Sequence, residues 1–353
     1  MQGIFESVFD MFYLVLVISF GIKLLFLDEK RAKFFAVMGI TLGLGDAFHL
    51  IPRIMAHMSS DGMTKFMPLL SWGKFITSLT MTAFYLIYYI YYRKETGKIN
   101  KLTDIAIILL AALRIILVIM PQNLWGTNDA PLKWKVFRNI PFVLIGCILT
   151  YISIKESRFF KKISLLIIIS FVCYIPVVLF ADTYPKVGML MIPKTVAYFL
   201  IIFFGYRKYQ QNFMPNDILI TSFISFLFGC AGGVFFREFT KFFGYTGYSM
   251  LSILHTHTLI LGSVFGLIFH LLFINCPKGN IQNFTTSAKL WLFGLILTVS
   301  MMFMRGIYQI TGNGAYIFND RAFSGIAGIG HIVLAVGIIK IMLYFIRCYK
   351  SEH

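Results

Sequence analysis

The segment GDAFHLIPR carries Asp46, His49 and Arg53 at i, i+3 and i+7, a spacing that lines one face of an α-helix with an acid, an imidazole and a guanidinium. Much later in the chain, LHTHTLILG carries His255 and His257, and SGIAGIGH ends on His331. All of these groups sit in apolar runs. An ionisable side chain in such a run costs about 2.5–3.5 kcal/mol on membrane-insertion scales, so it is expected to face a bundle interior or a cavity. Six basic residues fall there: Lys23, Arg53, Arg114, Lys194, Arg305 and Lys340. Lys23 and Lys340 lie near run ends, where a long stem carries the charge to the interface. Asp46 is the one carboxylate well inside a run. An acid outnumbered by bases leaves surplus positive charge, which suits an anionic group, so Asp46, His49, Arg53, Arg114 and Lys194 are the candidate ligand-binding residues. The structural alternative is a buried network in which Asp46 neutralises Lys194 or Arg114 and fixes helix packing.

The histidines suggest different chemistry. His255 and His257, at i and i+2, point roughly 200° apart on a helix and cannot both hold one small ion from the same face. One of them, paired with His331 across a bundle, would supply two axial ligands to a haem b, with Arg237 or Arg305 available to the propionates. The candidate cofactor-binding residues are therefore His255, His257, His331, Arg237 and Arg305, with His257 and His331 as the metal ligands. Neutral imidazoles equally suit a copper or iron ion or a proton relay, and histidines bonding across packed helices need no cofactor. The five cysteines (Cys147, Cys173, Cys230, Cys276 and Cys348) form no CxxC pair and imply neither a disulfide framework nor a zinc site.

The elements that must position these residues follow from composition. In 353 residues, 58% are hydrophobic and 13% charged, with a mean hydropathy of +0.78, which does not fit a water-solvated surface. At about 20 residues per spanning helix, the chain holds on the order of ten or eleven spans. No stretch remains for a soluble catalytic domain, which excludes kinases, nucleases and Rossmann dehydrogenases. Apolar runs fall at 8–27, 34–57, 74–92, 102–121, 138–154, 163–181, 187–206, 217–236, 250–274, 290–310 and 323–346. The expected fold is an all-α polytopic membrane protein of eleven helices, seven then four. The polar stretch YRKYQQNFMPND divides them into a seven-helix domain over 1–210 and a four-helix domain over 211–353.

The net charge of +17 lies mostly in loops, so it reads as topology and contact with lipid headgroups rather than as nucleic-acid binding. Alternate loops hold seventeen and nine Lys and Arg, which places the N-terminus outside and the C-terminus inside. The start, MQGIFESVFD, has two acids and no basic residue, and reads as the lead into an uncleaved first span. On this topology Asp46, His49 and Arg53 lie about 11, 8 and 4 residues below the outer face, and Lys194 and Arg114 about 7, all in one layer. His255, His257, His331 and Arg305 share the outer half of the second block. The tyrosines of TAFYLIYYIYY read as an interfacial belt. The loop 121–141, with two tryptophans and three prolines, is the element placed to cap the first site.

Several segments carry resemblances. FFREFTKFFGYTGYS, LHTHTLILGSVFGLI, LTVSMMFMRGI and SGIAGIGHIVL together resemble an uncharacterised bacterial family of four-helix membrane proteins over roughly residues 217–346. GDAFHLIPR resembles an uncharacterised bacterial membrane family. HxH followed by LG is loosely similar to histidine-bearing helices of haem-copper oxidase-like proteins, although the chain has no multi-histidine copper centre. Seven outside-first helices with a mid-membrane lysine on the seventh resemble retinal proteins, in which that lysine forms a Schiff base and Asp46 would be the counter-ion; MLMIPKTVAYFLI carries no further likeness. The expectation is a multi-pass protein of the bacterial plasma membrane. Its four-helix part would bind haem b or a metal as a component of a membrane oxidoreductase, and its seven-helix part would bind a small ligand. The alternative is a cofactor-free transporter or receptor for a small anionic solute.

Overall fold

The computed structural model describes residues 2–59, 61–98, 100–127, 129–210, 216–275, 281–311 and 317–350, without the side chains of residues 2, 281 and 317–320. Cys276 and part of the expected domain boundary, 211–215, lie outside the described residues. Within them all regular structure is helical: α1 (Gln2–Leu25), α2 (Ala32–Met58), α3 (Met67–Thr96), α4 (Lys101–Ile119), the short α5 (Leu132–Phe137), α6 (Ile140–Ile154), α7 (Arg158–Phe180), α8 (Met191–Tyr209), α9 (Asn216–Phe243), α10 (Leu251–Ile274), α11 (Ile281–Thr311) and α12 (Ile317–Lys350). Ten helices among the described residues are long and apolar enough to cross a membrane. The expected span at 74–92 lies in α3, a 30-residue helix whose tyrosines and charged ends dilute its apolar content.

Local chemistry sets the ends. Asn100 caps α4 by accepting from the backbone N–H groups of Leu102 and Thr103 at 3.0 and 3.4 Å. Gly97 closes α3 with φ +69°, and its N–H donates to the Arg93 carbonyl. Prolines occupy the first turns of α3 and α6, where the missing N–H has no intrahelical partner to lose.

The chain folds into two compact units. The tyrosine unit comprises Tyr13–Arg53 and Met63–Gln211; the histidine unit comprises Met1–Phe12, Ile54–Gly62 and Asn212–His353. In the tyrosine unit the apolar faces of α1 to α4 and α6 to α8 meet on a core that includes Val17, Phe35, Ile107, Ile145, Leu149 and Ile163. The tyrosines of α3 do not form the expected interfacial belt. Tyr85, Tyr88 and Tyr91 are fully buried in that core, because each hydroxyl finds an internal partner. Tyr85 donates to the Tyr198 hydroxyl at 3.3 Å, Tyr88 pairs with Ser153 at 2.9 Å, and Tyr91 accepts from Lys208 at 2.7 Å.

In the histidine unit α12 packs along α11 and meets α10 only lightly. The α11–α12 approach is set by glycine: a Cβ added at Gly294 would fall on the backbone of Leu334, and one at Gly337 on the backbone of Trp291. Trp291, with Phe269 and Leu334, centres the unit's core. The acids of the N-terminal segment are part of this unit rather than a lead-in. Helix α1 already begins at Gln2, and Glu6 and Asp10 are buried.

Candidate functional site

Helix α10 is interrupted directly after His257 by a π-helical segment, Thr258–Val264. A π turn displaces the i−4 ladder and is seldom kept without a local use. Neighbouring helices supply side-chain donors to it. Trp291 Nε1 donates to the Leu261 carbonyl at 2.9 Å, and Ser222 Oγ to the Ser263 carbonyl at 2.6 Å. The distorted stretch is therefore held in place from both α11 and α9.

His257 faces His331 of α12. Their ring centroids are 6.1 Å apart and the planes cross at 87°. Each ring is anchored to its own helix: His257 Nδ1 lies 3.1 Å from the Ile253 carbonyl and His331 Nδ1 2.8 Å from the Ala327 carbonyl. A carbonyl only accepts, so in both rings Nδ1 carries the hydrogen, and in the neutral imidazole Nε2 keeps the lone pair. This backbone anchoring is the usual second contact of a metal-ligating histidine. The two imidazoles are the residues that would hold a metal-bearing group here, through the nitrogens that are not anchored to the backbone. Room exists beside the pair. His331 is exposed, and a Cβ built at Gly325 or Gly328 would meet nothing within 4 Å.

The other residues expected around this centre are placed differently. His255 turns toward α9, where a Cβ at Gly233 would touch its ring at 3.7 Å, and its Nδ1 is buried without a hydrogen-bond partner. Arg237 is exposed at the end of α9 and pairs with its neighbour Glu238 at 3.3 Å. Arg305 is half-buried on α11, beside Gly306, whose carbonyl accepts from Ser249 at the start of α10. It therefore lies at the end of the unit where α10 begins. Among the described residues no group of three or more His, Cys, Asp or Glu is placed to hold a metal ion.

In the tyrosine unit the cationic residues divide into two groups. Arg114 of α4 is 2% exposed and Lys194 of α8 8%, so both charges are withdrawn from solvent. The Arg114 guanidinium lies 3.4 Å over the Phe142 ring, and Lys194 Nζ lies 4.4 Å from the Tyr174 ring centre and 5.6 Å from that of Tyr198. Asp46 is within electrostatic reach of Lys194, but its carboxylate accepts from Tyr13 at 2.6 Å instead of closing an ion pair. His49 donates Nδ1–H to the Leu70 carbonyl at 3.2 Å, and it and Arg53 share their surroundings with Lys74 of α3. The face formed by Asp46, His49 and Arg53 is thus shared between two neighbourhoods.

Sequence reasoning passed over three contributors. Tyr13 and Tyr174 are apolar-run tyrosines with no spacing signal, and only folding sets them against Asp46 and Lys194. Glu6 pairs with His57 Nε2 at 3.3 Å inside the histidine unit. The i, i+4 placement of Glu6 and Asp10 on one helix face is the signal that pointed there.

Residues 216–348, which span α9 to α12, match the sequence model of a family described as a protein of unknown function (DUF2871). This agrees with the expected resemblance of the last four helices to an uncharacterised family. No curated protein and no solved structure matches the chain.

Proposed function

We propose that the histidine unit holds a redox metal centre, a b-type haem ligated by His257 and His331, and that the protein is an electron-transferring component of the bacterial plasma membrane. The observation that carries this reading is the histidine pair itself: 6.1 Å between ring centroids, with each Nδ1 tied to its i−4 carbonyl. His257 and His331 would hold the haem iron through Nε2, and the porphyrin would supply its remaining ligands. A mononuclear copper or iron site would need more protein ligands than this pair provides. A Cβ at Gly325 or Gly328 would meet nothing within 4 Å, so the helix that carries His331 has an open face there, and Arg305, rather than the Glu238-paired Arg237, is the basic residue suited to a propionate. When bound, such a haem supplies one-electron transfer. The chain's residues set ligand basicity through the carbonyl anchors.

In this reading α3 is an eleventh span despite its tyrosines, because its polar hydroxyls are paired inside the tyrosine unit. The N-terminus is outside and the C-terminus inside, from the loop distribution of Lys and Arg. Haem and metal content per chain tests the proposal. Purified full-length protein, expressed with haem supply, is expected to contain haem b near one per chain, and His331→Ala to contain almost none. Stoichiometric copper or non-haem iron without haem would replace the haem assignment, and a metal-free, haem-free protein would remove the redox reading.

A further inference from the structure

Between α6 and α7 runs an apolar groove of about 260 Å³, whose walls include Val136, Asn139, Val143, Leu144, Tyr174 and Val178. Its rims, Ile140, Leu144 and Ile175, are exposed, and on helices that cross a membrane such rims face lipid. The Tyr174 side chain is part of the groove wall. That ring carries Lys194 Nζ at 4.4 Å and packs edge-on against Phe142 at 6.0 Å, and Phe142 carries the Arg114 guanidinium. Tyr174 is therefore shared between the apolar groove and the aromatic surroundings of two buried cations.

Those cations lack a full complement of anions. Arg114 Nε and Nη1 are buried without hydrogen-bond partners among the described residues, and the groups within electrostatic reach of Arg114 include Tyr174, Tyr198, Tyr85, Arg138 and Lys194. Leaving a buried guanidinium unpaired is costly, and its fork matches carboxylate and phosphate oxygens. The loop that follows α4 is tied back onto the end of that helix. Asn123, fully buried, donates Nδ2–H bonds to the carbonyls of Leu117, Val118 and Met120 at 2.7, 3.2 and 2.9 Å. Trp125 Nε1 donates to the Val118 carbonyl at 2.7 Å, and Arg138 locks Asn123 Oδ1 at 2.9 Å. The last carbonyls of α4, just beyond Arg114, are thus capped by its own loop.

We propose that the tyrosine unit takes a single-chain anionic amphiphile, an alkyl carboxylate or alkyl phosphate, directly from the bilayer. The chain lies in the α6–α7 groove and the head reaches Arg114 and Lys194 past Tyr174. The Tyr174 hydroxyl, which donates to Asn139 Oδ1 at 2.9 Å, is the latch that must turn to admit the head. Asp46, held by Tyr13, stays as the counter-charge to Lys194, so that the Arg114 charge is left for the ligand. This site does not rest on the haem assignment, because no residue is shared.

The test uses full-length protein in phosphatidylcholine nanodiscs with diazirine-bearing probes: a long-chain fatty acid, the alkyl phosphate of the same chain, and the fatty acid's methyl ester. At least one anionic probe is expected to crosslink to α6 and α7 at no less than about tenfold the yield of the ester, a difference of about 1.4 kcal/mol, and the comparison of the two identifies the head group. Arg114→Gln should bring the anionic yield down to that of the ester. Val143→Trp, which fills the groove without touching a charge, should abolish labelling by all three probes, and it serves as the test if Arg114→Gln fails to fold. Equal labelling by acid and ester that is indifferent to Arg114→Gln would reduce the groove to ordinary lipid contact. Displacement of the anionic probes by acetate or inorganic phosphate would mean an aqueous anion site and overturn lateral entry.

Discussion

At the scale of single residues, the outcome turns on which buried charges share a bond and which share only a neighbourhood. Asp46 and Lys194 attract one another, yet Asp46 spends its hydrogen bond on Tyr13 and Lys194 rests on tyrosine rings. Direct ion pairs couple by several kcal/mol when buried, whereas groups held by third parties couple weakly. A double-mutant cycle of Asp46→Asn and Lys194→Met, read by thermal unfolding in detergent, is therefore expected to give a coupling below about 1 kcal/mol. Asp46→Asn alone should be mild, because an amide oxygen still accepts from Tyr13. A coupling of several kcal/mol, with the double variant restored, would establish the structural ion pair instead. The ionisable half of this site was legible in the sequence, because charge in an apolar run is conspicuous. Its tyrosine half was not: Tyr13 and Tyr174 look like any other aromatic residue of a span until helices from distant parts of the chain bring them to Asp46 and Lys194.

At the scale of elements, hydropathy located most of the long helices, and it misjudged what the tyrosines of α3 do. A tyrosine near a run end suits an interface or an interior with equal ease, and only the partner hydroxyls on α6, α7 and α8 decide between them. The π segment of α10 was invisible as well, since a π turn depends on donors such as Trp291 and Ser222 from other helices. Glycine spacing was legible as close packing in general, but the structure separates two roles. Gly337 lies against the backbone of Trp291, so Gly337→Val should destabilise the histidine unit by about 1–3 kcal/mol or more through overpacking. Gly328 faces open space, so Gly328→Ala should leave stability within about 0.5 kcal/mol. Gly328→Trp, which fills the space beside His331, should lower haem content with little change in melting temperature. Full haem content in Gly328→Trp would move the cofactor away from that flank.

Element ends are tied by charge. Glu95 of α3 accepts from Lys208 of α8 at 2.5 Å and from Arg31, before α2, at 2.9 Å. Burial alone would raise the Glu95 carboxyl, but the bonds to Lys208 and Arg31 outweigh it and hold the group below its ordinary value of 4.5. A depressed carboxylate stabilises the fold fully above the ordinary value, and that stabilisation is lost as pH falls through the folded value. Glu95→Gln is expected to cost about 1 kcal/mol at neutral pH, allowing for partial exposure, and the gap to the parent protein should close as pH drops below about 4. A gap that is constant with pH would show that the loss is packing rather than charge.

At the scale of the whole molecule, composition alone made the chain a multi-pass membrane protein, and the all-helical fold agrees. Composition did not reveal that the opening turns of α1 and the last turns of α2 are built into the same compact unit as α9 to α12. A boundary read from a polar linker assumes that units are continuous in sequence, and Glu6 and His57 depart from that assumption. Toward the other end of the chain, His257 and His331 face one another with their Nδ1 atoms bonded to backbone carbonyls. The most direct measurement is the reduced-minus-oxidised absorption spectrum of the purified full-length protein and three variants. The parent and His255→Ala should both show the Soret and α-band changes of a low-spin, two-imidazole haem, while His257→Ala and His331→Ala should each lose the low-spin signature. A colourless parent protein, or a haem spectrum unchanged by both substitutions, would contradict the assignment.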